Sequence, residues 1–246
     1  MKVTIEDRFR AAMIHAVLSL VLLGVALYLV FSLWYPAPLT EAAGVANIFY
    51  LMLAIDLVLG PVLTFVVFKF DRVRLVFDLV VILLVQLSFY TYGLMIVSQG
   101  RPEWLVFVVD DFEMVRPVDI DRRQEHAFLP AYRDTLWDGP RWAAARYSDD
   151  PQTAQSQKED EFFLGISMAA RPETYTDITD VSNAVRDRAK GLEVLADYNQ
   201  ASALKVLDAY PQAAGWLPLK GYAQDQVVLV DDEGQVLGVV DLRPWD

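Results

Sequence analysis

The sequence predicts a bundle of three membrane-spanning helices followed by an extracytoplasmic α+β domain, and three observations carry that expectation. The first hundred of its 246 residues hold three apolar stretches of about 20 residues, the length a helix needs to cross a ~30 Å hydrocarbon core. Charge is segregated. Residues 1–100 carry six Lys and Arg against six Asp and Glu, whereas residues 101–246 carry fifteen against twenty-seven, which is the whole net charge of −12. The Lys and Arg of the first part also gather at alternate ends of the apolar stretches. With 54% hydrophobic residues and a mean hydropathy of +0.28, such a chain is not an ordinary soluble globule. Its acidic half repels phosphate, which excludes a nucleic-acid binder. The chain has no cysteine, so it has no disulfide framework, thiolate metal site or c-type haem attachment.

The first span is expected over about 11–34, where no charge occurs between Arg10 and Glu41. Its apolar run exceeds the 7–15 residues of a signal-peptide core and two more spans follow, so it reads as an uncleaved anchor. The second is expected over 47–68 and the third over 77–98, with Asp78 in the first turn of its helix, where the macrodipole favours an anion. Lys2, Arg8 and Arg10 precede the first span, and Lys69, Arg72 and Arg74 lie between the second and third. The loop YPAPLTEAAGVA has neither residue type. The positive-inside rule then puts the N-terminus in the cytoplasm and residues 101–246 on the far side, the periplasm of a diderm bacterium. Tyr28, Trp34, Tyr35, Tyr90, Tyr92 and Trp104 fall near the outer ends, as an interfacial belt would.

Within the spans the conspicuous residue is Asp56, about nine residues (~13 Å) into its helix and close to the bilayer midplane. A carboxyl at that depth costs a few kcal/mol, so it should face protein or water. Asp56, Gly60 and Thr64 recur every four residues on one helix face. Pro61 lacks an N–H and leaves the carbonyl of Leu57 without its helical donor. Gln86 lies at similar depth on the third span, and Ala12, His15, Ala16 and Ser19 form a comparable stripe on the first. Two uses of this stripe are open. It holds the bundle together through a neutral Asp56 bonded to Gln86 or Ser19, or it receives a helix of another membrane protein, with Asp56, Gly60, Pro61, Thr64 and Gln86 as the partner-binding set. Three helices with one carboxyl are a thin basis for an ion path.

In the outer part, WLVFVVD and FEMVRPV read as strands, the latter ended by Pro117, and GPRWAAARYS as another. RRQEHAFLPAYRDTLW has helical spacing broken near Pro130. DDPQTAQSQKEDEFFLGISM reads as a helix, and further helices are expected over 178–190, opened by Thr179 or Asp180, and over 200–209. QVVLVDDEGQVLGVVDLRPW reads as a terminal hairpin with Gly at its turn. The chain lacks G-x-S-x-G, P-loop, H-E-x-x-H and G-x-G-x-x-G patterns, and its only histidines are His15 and His126. These observations point to no catalytic residue, cofactor or metal. The paired acids Asp110–Asp111, Asp149–Asp150 and Asp231–Asp232 read as turn residues.

Four segments together resemble the TfpX/TfpZ-type family of type IV pilin accessory proteins: WYPAPLT at 34–40, AIDLVLGPVLTFVVF at 54–68, QGRPEWLVFVVD at 99–110 and the terminal VLGVVDLRPW. The resemblance implies a non-enzymatic, chaperone-like factor of the inner membrane that serves one cognate major pilin and promotes its assembly into pili. It implies no catalytic residue, and it leaves contact with the assembly machinery open. An unassembled pilin of that type is held in the membrane by one N-terminal apolar helix with its head outside, so the expected partners are that pilin and the lipid bilayer. Two other classes fit the composition: a membrane enzyme modifying pilin or envelope glycans, and a scaffold or sensor of an unrelated envelope complex.

Overall fold

A computed structural model describes residues 4–67 and 72–245. They form two compact units, one comprising Met1–Leu33 and Val45–Gln99, the other Trp34–Gly44 and Gly100–Asp246.

The first unit is helical. Helix α1 spans Ile5–Tyr28 and opens on a capping box: Thr4 Oγ1 accepts from the Asp7 amide at 3.2 Å, and the Thr4 amide donates to Asp7 Oδ2 at 2.9 Å. A wider π-helical stretch continues it over Leu29–Trp34. After the short helix α2 (Leu39–Ala43), α3 runs over Ala46–Val67 and passes through Pro61 as one helix, and α4 follows over Arg72–Gln99. Two helical stretches among the described residues are long and apolar enough to cross a membrane, Ile5–Trp34 and Leu79–Gln99. Neither buries its apolar surface within the protein: Val21 is 61% exposed, Leu84 58% and Phe89 67%. Long apolar helices left this bare are compatible with membrane association, because lipid rather than protein can cover them.

The second unit is built on a seven-stranded mixed sheet. Its strands are β1 (Trp104–Val108), β2 (Asp111–Val115), β3 (Arg141–Ala145), β4 (Tyr175–Thr176), β5 (Gly215–Lys220), β6 (Gln226–Val230) and β7 (Val236–Val240), in the spatial order β4-β3-β1-β2-β5-β6-β7. The β1–β2 and β6–β7 pairs are antiparallel hairpins, whereas β1–β3 and β2–β5 run parallel. Gly234 turns the last hairpin at φ +79°, and a Cβ there would meet Ser182 O at 2.0 Å. Both faces of the sheet are covered, which is why WLVFV and QVVLV are buried at every position instead of alternating. On one face Leu105, Phe107, Phe112, Leu217 and Val228 pack with Val185 of α6 (Ser182–Arg188). On the other, Trp104, Val106 and Ala143 pack against Met168, Ala169 and Phe128, and Trp216, Leu229 and Val240 against α7 (Leu192–Asn199) and α8 (Ala201–Leu207).

The segment 34–44, which reads in sequence as a loop between two spans, is part of this second unit. Leu39 and Ala42 of α2 are buried in the first of these core clusters. Trp34 Nε1 donates to the carbonyl of Leu136 at 2.8 Å, Gln226 Nε2 to that of Pro38 at 2.9 Å, and the amide of Ala223 to that of Ala42 at 2.8 Å. Thr40 Oγ1 closes the segment on the carbonyl of Tyr35 at 2.6 Å. Gly44 ends α2 at φ +70°, where a Cβ would meet that of Ala223 at 2.7 Å.

Several local expectations are corrected. RRQEHAFLPAYRDTLW forms two 3₁₀ turns, Arg122–Ala127 and Pro130–Tyr132, instead of an α-helix. Pro130 cannot continue a helix, and Arg122 and Arg123 are drawn to Asp134 and Asp121. The helix expected over 178–190 is a 3₁₀ turn followed by α6, and its opening cap is Asp177, whose carboxylate accepts from the Thr179 amide at 2.9 Å. The helix expected over 200–209 is preceded by α7, separated from α8 at Gln200 with φ 48°. The helix expected over 149–168 is present as α5 (Pro151–Leu164) but shorter at both ends, with Asp150, expected as a turn residue, capping at 2.8 Å, Pro151 in the first turn and left-handed Gly165 at its end.

At the root of the sheet Glu103 is 1% exposed and meets two guanidiniums, Arg101 and, at 2.6 Å, Arg141, while accepting from the Thr135 amide at 3.1 Å. Removing one side of a buried ionic cluster leaves the other uncompensated, so Glu103→Ala should destabilise the sheet unit by about 3–5 kcal/mol. Leu39→Ala should cost about 2–5 kcal/mol by opening a core cavity, although it lies more than sixty residues from the first strand. Denaturant titration of the detergent-solubilised protein, followed by tryptophan fluorescence, checks both. An unchanged midpoint for Leu39→Ala would mean that α2 is not a structural part of the core.

Candidate functional site

In the helical unit α1 and α4 each pack along α3. A groove of about 320 Å³ opens between them, walled by Ile14, Leu18 and Leu22 of α1 and Leu79, Leu83 and Leu87 of α4, with Leu53, Leu57 and Thr64 of α3 at its floor. Tyr90 Oη ties the two walls by donating to the carbonyl of Leu22 at 2.7 Å. The surface is almost wholly apolar, and His15, Ser19, Thr64 and Gln86 are its polar contributors. A concave apolar surface between helices offers van der Waals contact to another helix, which is the main source of helix association in lipid.

The structure brings together three of the five residues that the sequence singles out for partner binding. Gly60 is buried, and a Cβ on it would sit 2.2 Å from Gln86 Nε2 and 2.7 Å from His15 Nε2. Glycine is therefore what lets side chains from both walls lie on the α3 backbone. Thr64, 2% exposed, shares a 2.7 Å hydrogen bond with His15 Nδ1. Gly60, Thr64 and Gln86 thus meet inside the unit around His15, and Pro61 is half-buried one position along. The side chain of Asp56 lies outside the described residues. Sequence spacing identified the stripe on α3, and it listed His15 only as one of four residues on the facing stripe. Its pairing with Thr64 depends on how α1 rotates against α3, which a one-dimensional pattern does not encode.

The sheet unit carries a second, polar cleft of about 770 Å³, bordered by Arg123, Arg146, Tyr147, Gln157, Asp160, Arg171 and Glu173. Asp160 on α5 bonds Arg123 at 2.8 Å and the buried Arg171 at 2.9 Å, and Asp121 bonds Arg123 at 2.7 Å. Arg123 holds the Asp121 carboxyl below the usual carboxylate range, and Arg171 with Arg123 does the same for Asp160. Burial pushes Glu173 the other way. No group of three His, Cys, Asp or Glu among the described residues could hold a metal ion. The paired acids serve local structure: Asp150 caps α5, Asp231 accepts from the amides of Glu233 and Gln235, and Asp111 pairs with Lys220 at 2.6 Å.

With the fold and these surfaces in view, comparison with known proteins gives a consistent result. The family model described as fimbrial assembly protein FimB matches residues 3–44. A fimbrial assembly protein of serogroup I from Dichelobacter nodosus is 30% identical over 184 residues, covering 73% of this chain and 70% of the relative. That of serogroup E1 from the same organism is 29% identical over 246 residues, covering 95% and 94% of the two chains. That of serogroups C1 and C2 is 34% identical over 110 residues, 44% of this chain and 83% of the relative. No solved structure matches. The chain belongs to the family of fimbrial assembly proteins.

Two measurements follow from the site geometry. Hydrogen bonds between helices in lipid average about 0.6 kcal/mol and reach at most about 1.7, so Thr64→Val should lower stability only within that range. A larger loss in refolding from mixed micelles would make the His15–Thr64 bond a principal tie of the bundle. In the sheet unit, a carboxyl whose folded pKa is depressed adds stability that is complete above its unfolded value, near 3.8, and is lost as pH falls through the folded value. Glu173, being raised, relieves strain on protonation at a higher pH than that loss begins. Hydrogen-exchange protection of α5, corrected for intrinsic rates, should therefore fall more steeply below about pH 4 in the native protein than in Arg123→Gln. The two should converge in strong acid. Parallel curves would show that this arginine does not hold the carboxylates.

Proposed function

We propose that the protein is a non-enzymatic, chaperone-like accessory factor of the inner membrane that engages a type IV major pilin and promotes its assembly into pili. The groove between α1 and α4 carries this reading, because its apolar walls match the need of a pilin's single membrane helix for lipid-depth packing. Membership of the fimbrial assembly family supports the same process, and the four quoted segments support the finer likeness to TfpX/TfpZ-type proteins. The pilin helix lies along the groove. Of the candidate set Asp56, Gly60, Pro61, Thr64 and Gln86, the groove-lining Thr64 and Gln86 meet it directly and the others shape the helix behind them, and the sheet unit meets the pilin head. Two modest contacts on one tethered client reinforce each other through effective concentration, so neither has to be tight.

The orientation proposed is N-terminus in the cytoplasm and sheet unit in the periplasm. Lys and Arg distribution supports the choice of side, and the fold of the sheet unit supports only that its two chain segments share one side. Residues 34–44 and 100–245 share one core, so both must lie on the same side of any membrane that the intervening helices cross. An even number of crossings between Gly44 and Gly100 would satisfy that requirement, and the proposed reading assigns one to α3 and one to α4.

Photocrosslinking amino acids at Leu18 and Leu83, which line the groove, should capture the cognate pilin in cells. The same probes at Val58 and Val62, which are 61% and 51% exposed and do not line it, should not. Equal capture at both pairs would sink the groove as the docking surface. Deleting the protein should lower surface pilin relative to total pilin. An unchanged ratio would sink the assembly role itself.

A further inference from the structure

The sheet unit presents an apolar tip whose position in the chain identifies what covers it. Leu129, Leu136 and Trp137 lie on the segment between β2 and β3 and are 58%, 47% and 73% exposed on a strongly acidic chain. That segment is fastened to both points where the chain enters the sheet unit from an apolar helix. Trp34, the last residue of the first membrane-length helical stretch and the first residue of the sheet unit, donates to the carbonyl of Leu136 at 2.8 Å. Arg101, two residues beyond α4, donates to the carbonyl of Thr135 at 2.8 Å, and Arg141 holds the carbonyl of Arg133 at 2.6 Å.

We propose that the 129–137 segment is a lipid-contacting element, with Leu129, Leu136 and Trp137 seated in the headgroup–acyl boundary of the bilayer and Arg133 reaching lipid phosphate. A segment bonded to the last residue of one membrane-length helical stretch and to a residue two positions beyond the other is held at interfacial depth by covalent geometry, since each residue spans at most about 3.6 Å. Tryptophan is the side chain that favours this zone. Local electrostatics agree. The one carboxylate of the segment, Asp134, faces the guanidinium of Arg122 at 2.8 Å, and Asp138 just beyond it faces that of Arg141 at 3.7 Å, while Arg133 is exposed. The segment therefore does not share the repulsion from anionic lipid that the domain's net charge imposes. Phe162 and Phe163, at the end of α5, are 82% and 75% exposed but follow Glu159, Asp160 and Glu161 and have no bond to either chain entry. They serve as the internal contrast.

The inference rests on the membrane reading above, and the absence of cysteine makes the two separable. Single substitutions Leu129→Cys, Trp137→Cys, Phe162→Cys and Leu84→Cys in the full chain, labelled with an environment-sensitive fluorophore, are reconstituted into phosphatidylethanolamine–phosphatidylglycerol vesicles. Some of the lipid carries nitroxide quenchers at shallow or deep positions. The expected result is loss of fluorescence to the shallow quencher and a blue shift at 129 and 137, neither at 162, and loss to the deep quencher at 84. Quenching at 129 and 137 no greater than at 162, with 84 still quenched, overturns the lipid-contacting segment and leaves the membrane reading standing. No quenching at 84 overturns both.

Discussion

The cluster around Glu103 is the constraint on which the rest of the sheet unit depends. Arg101 and Glu103 are 3% and 1% exposed at the side chain, so neither has water to fall back on. Burying an ion is tolerable only if its partners and remaining hydrogen-bonding capacity are satisfied on the spot. Here one carboxylate serves Arg101, Arg141 and the Thr135 amide, and the guanidinium of Arg141 also lies 3.9 Å over the Trp104 ring. These residues come from the start of β1, the start of β3 and the segment between β2 and β3. A single cluster thus fixes the angle at which the chain enters the sheet, the parallel β1–β3 pairing and the placement of residues 129–137.

The same logic explains why short, separated motifs carry the family resemblance. RPEW supplies Arg101, Glu103 and Trp104 of this cluster. WYPAPLT supplies the Trp34 bond to Leu136, the buried Tyr35 and the core residue Leu39. The terminal LRPW buries Leu242, pairs the Arg243 backbone with the Asn199 side-chain amide, which donates to its carbonyl and accepts from its N–H, and sets Trp245 Nε1 on Asp225 at 3.1 Å. These three motifs sit where distant parts of the chain are joined.

What could be read from the chain divides along similar lines. The strands Trp104–Val108 and Gln226–Val230 and the body of helix Pro151–Leu164 were legible because their signals are local: an unbroken apolar run, a turn glycine, acidic residues where a helix begins. Strand Gly215–Lys220 was not, since Pro218 argues against a central strand. Its ladder to β2 is confined to Leu219 and Lys220, past the proline. The role of 34–44 was also illegible, because a five-residue helix between two apolar helices has no periodicity long enough to announce that Leu39 and Ala42 belong to a core formed by residues after 100. In the helical unit, the four-residue spacing of Gly60 and Thr64 marked a special face on α3. It could not say that His15 and Gln86 lie on it, or that the open surface is the apolar cleft alongside.

That division bears on how the two units work together in the proposed role. The family match covers residues 3–44, a span that crosses from the helical unit into the sheet unit. Its first part, α1, is a wall of the groove, and its last part, α2, is buried beneath the sheet. Between them lies a π-helical stretch, a local widening that takes in an extra residue and shifts the register of everything after it. The ring of Phe31 in that stretch packs edge-on to Phe49 at 5.4 Å, so the irregular turn is held by α3 and does not fray. In the proposed role the client helix lies against α1 of the helical unit, and the same continuous stretch of chain supplies Leu39 and Ala42 to the core of the unit proposed to meet the client head.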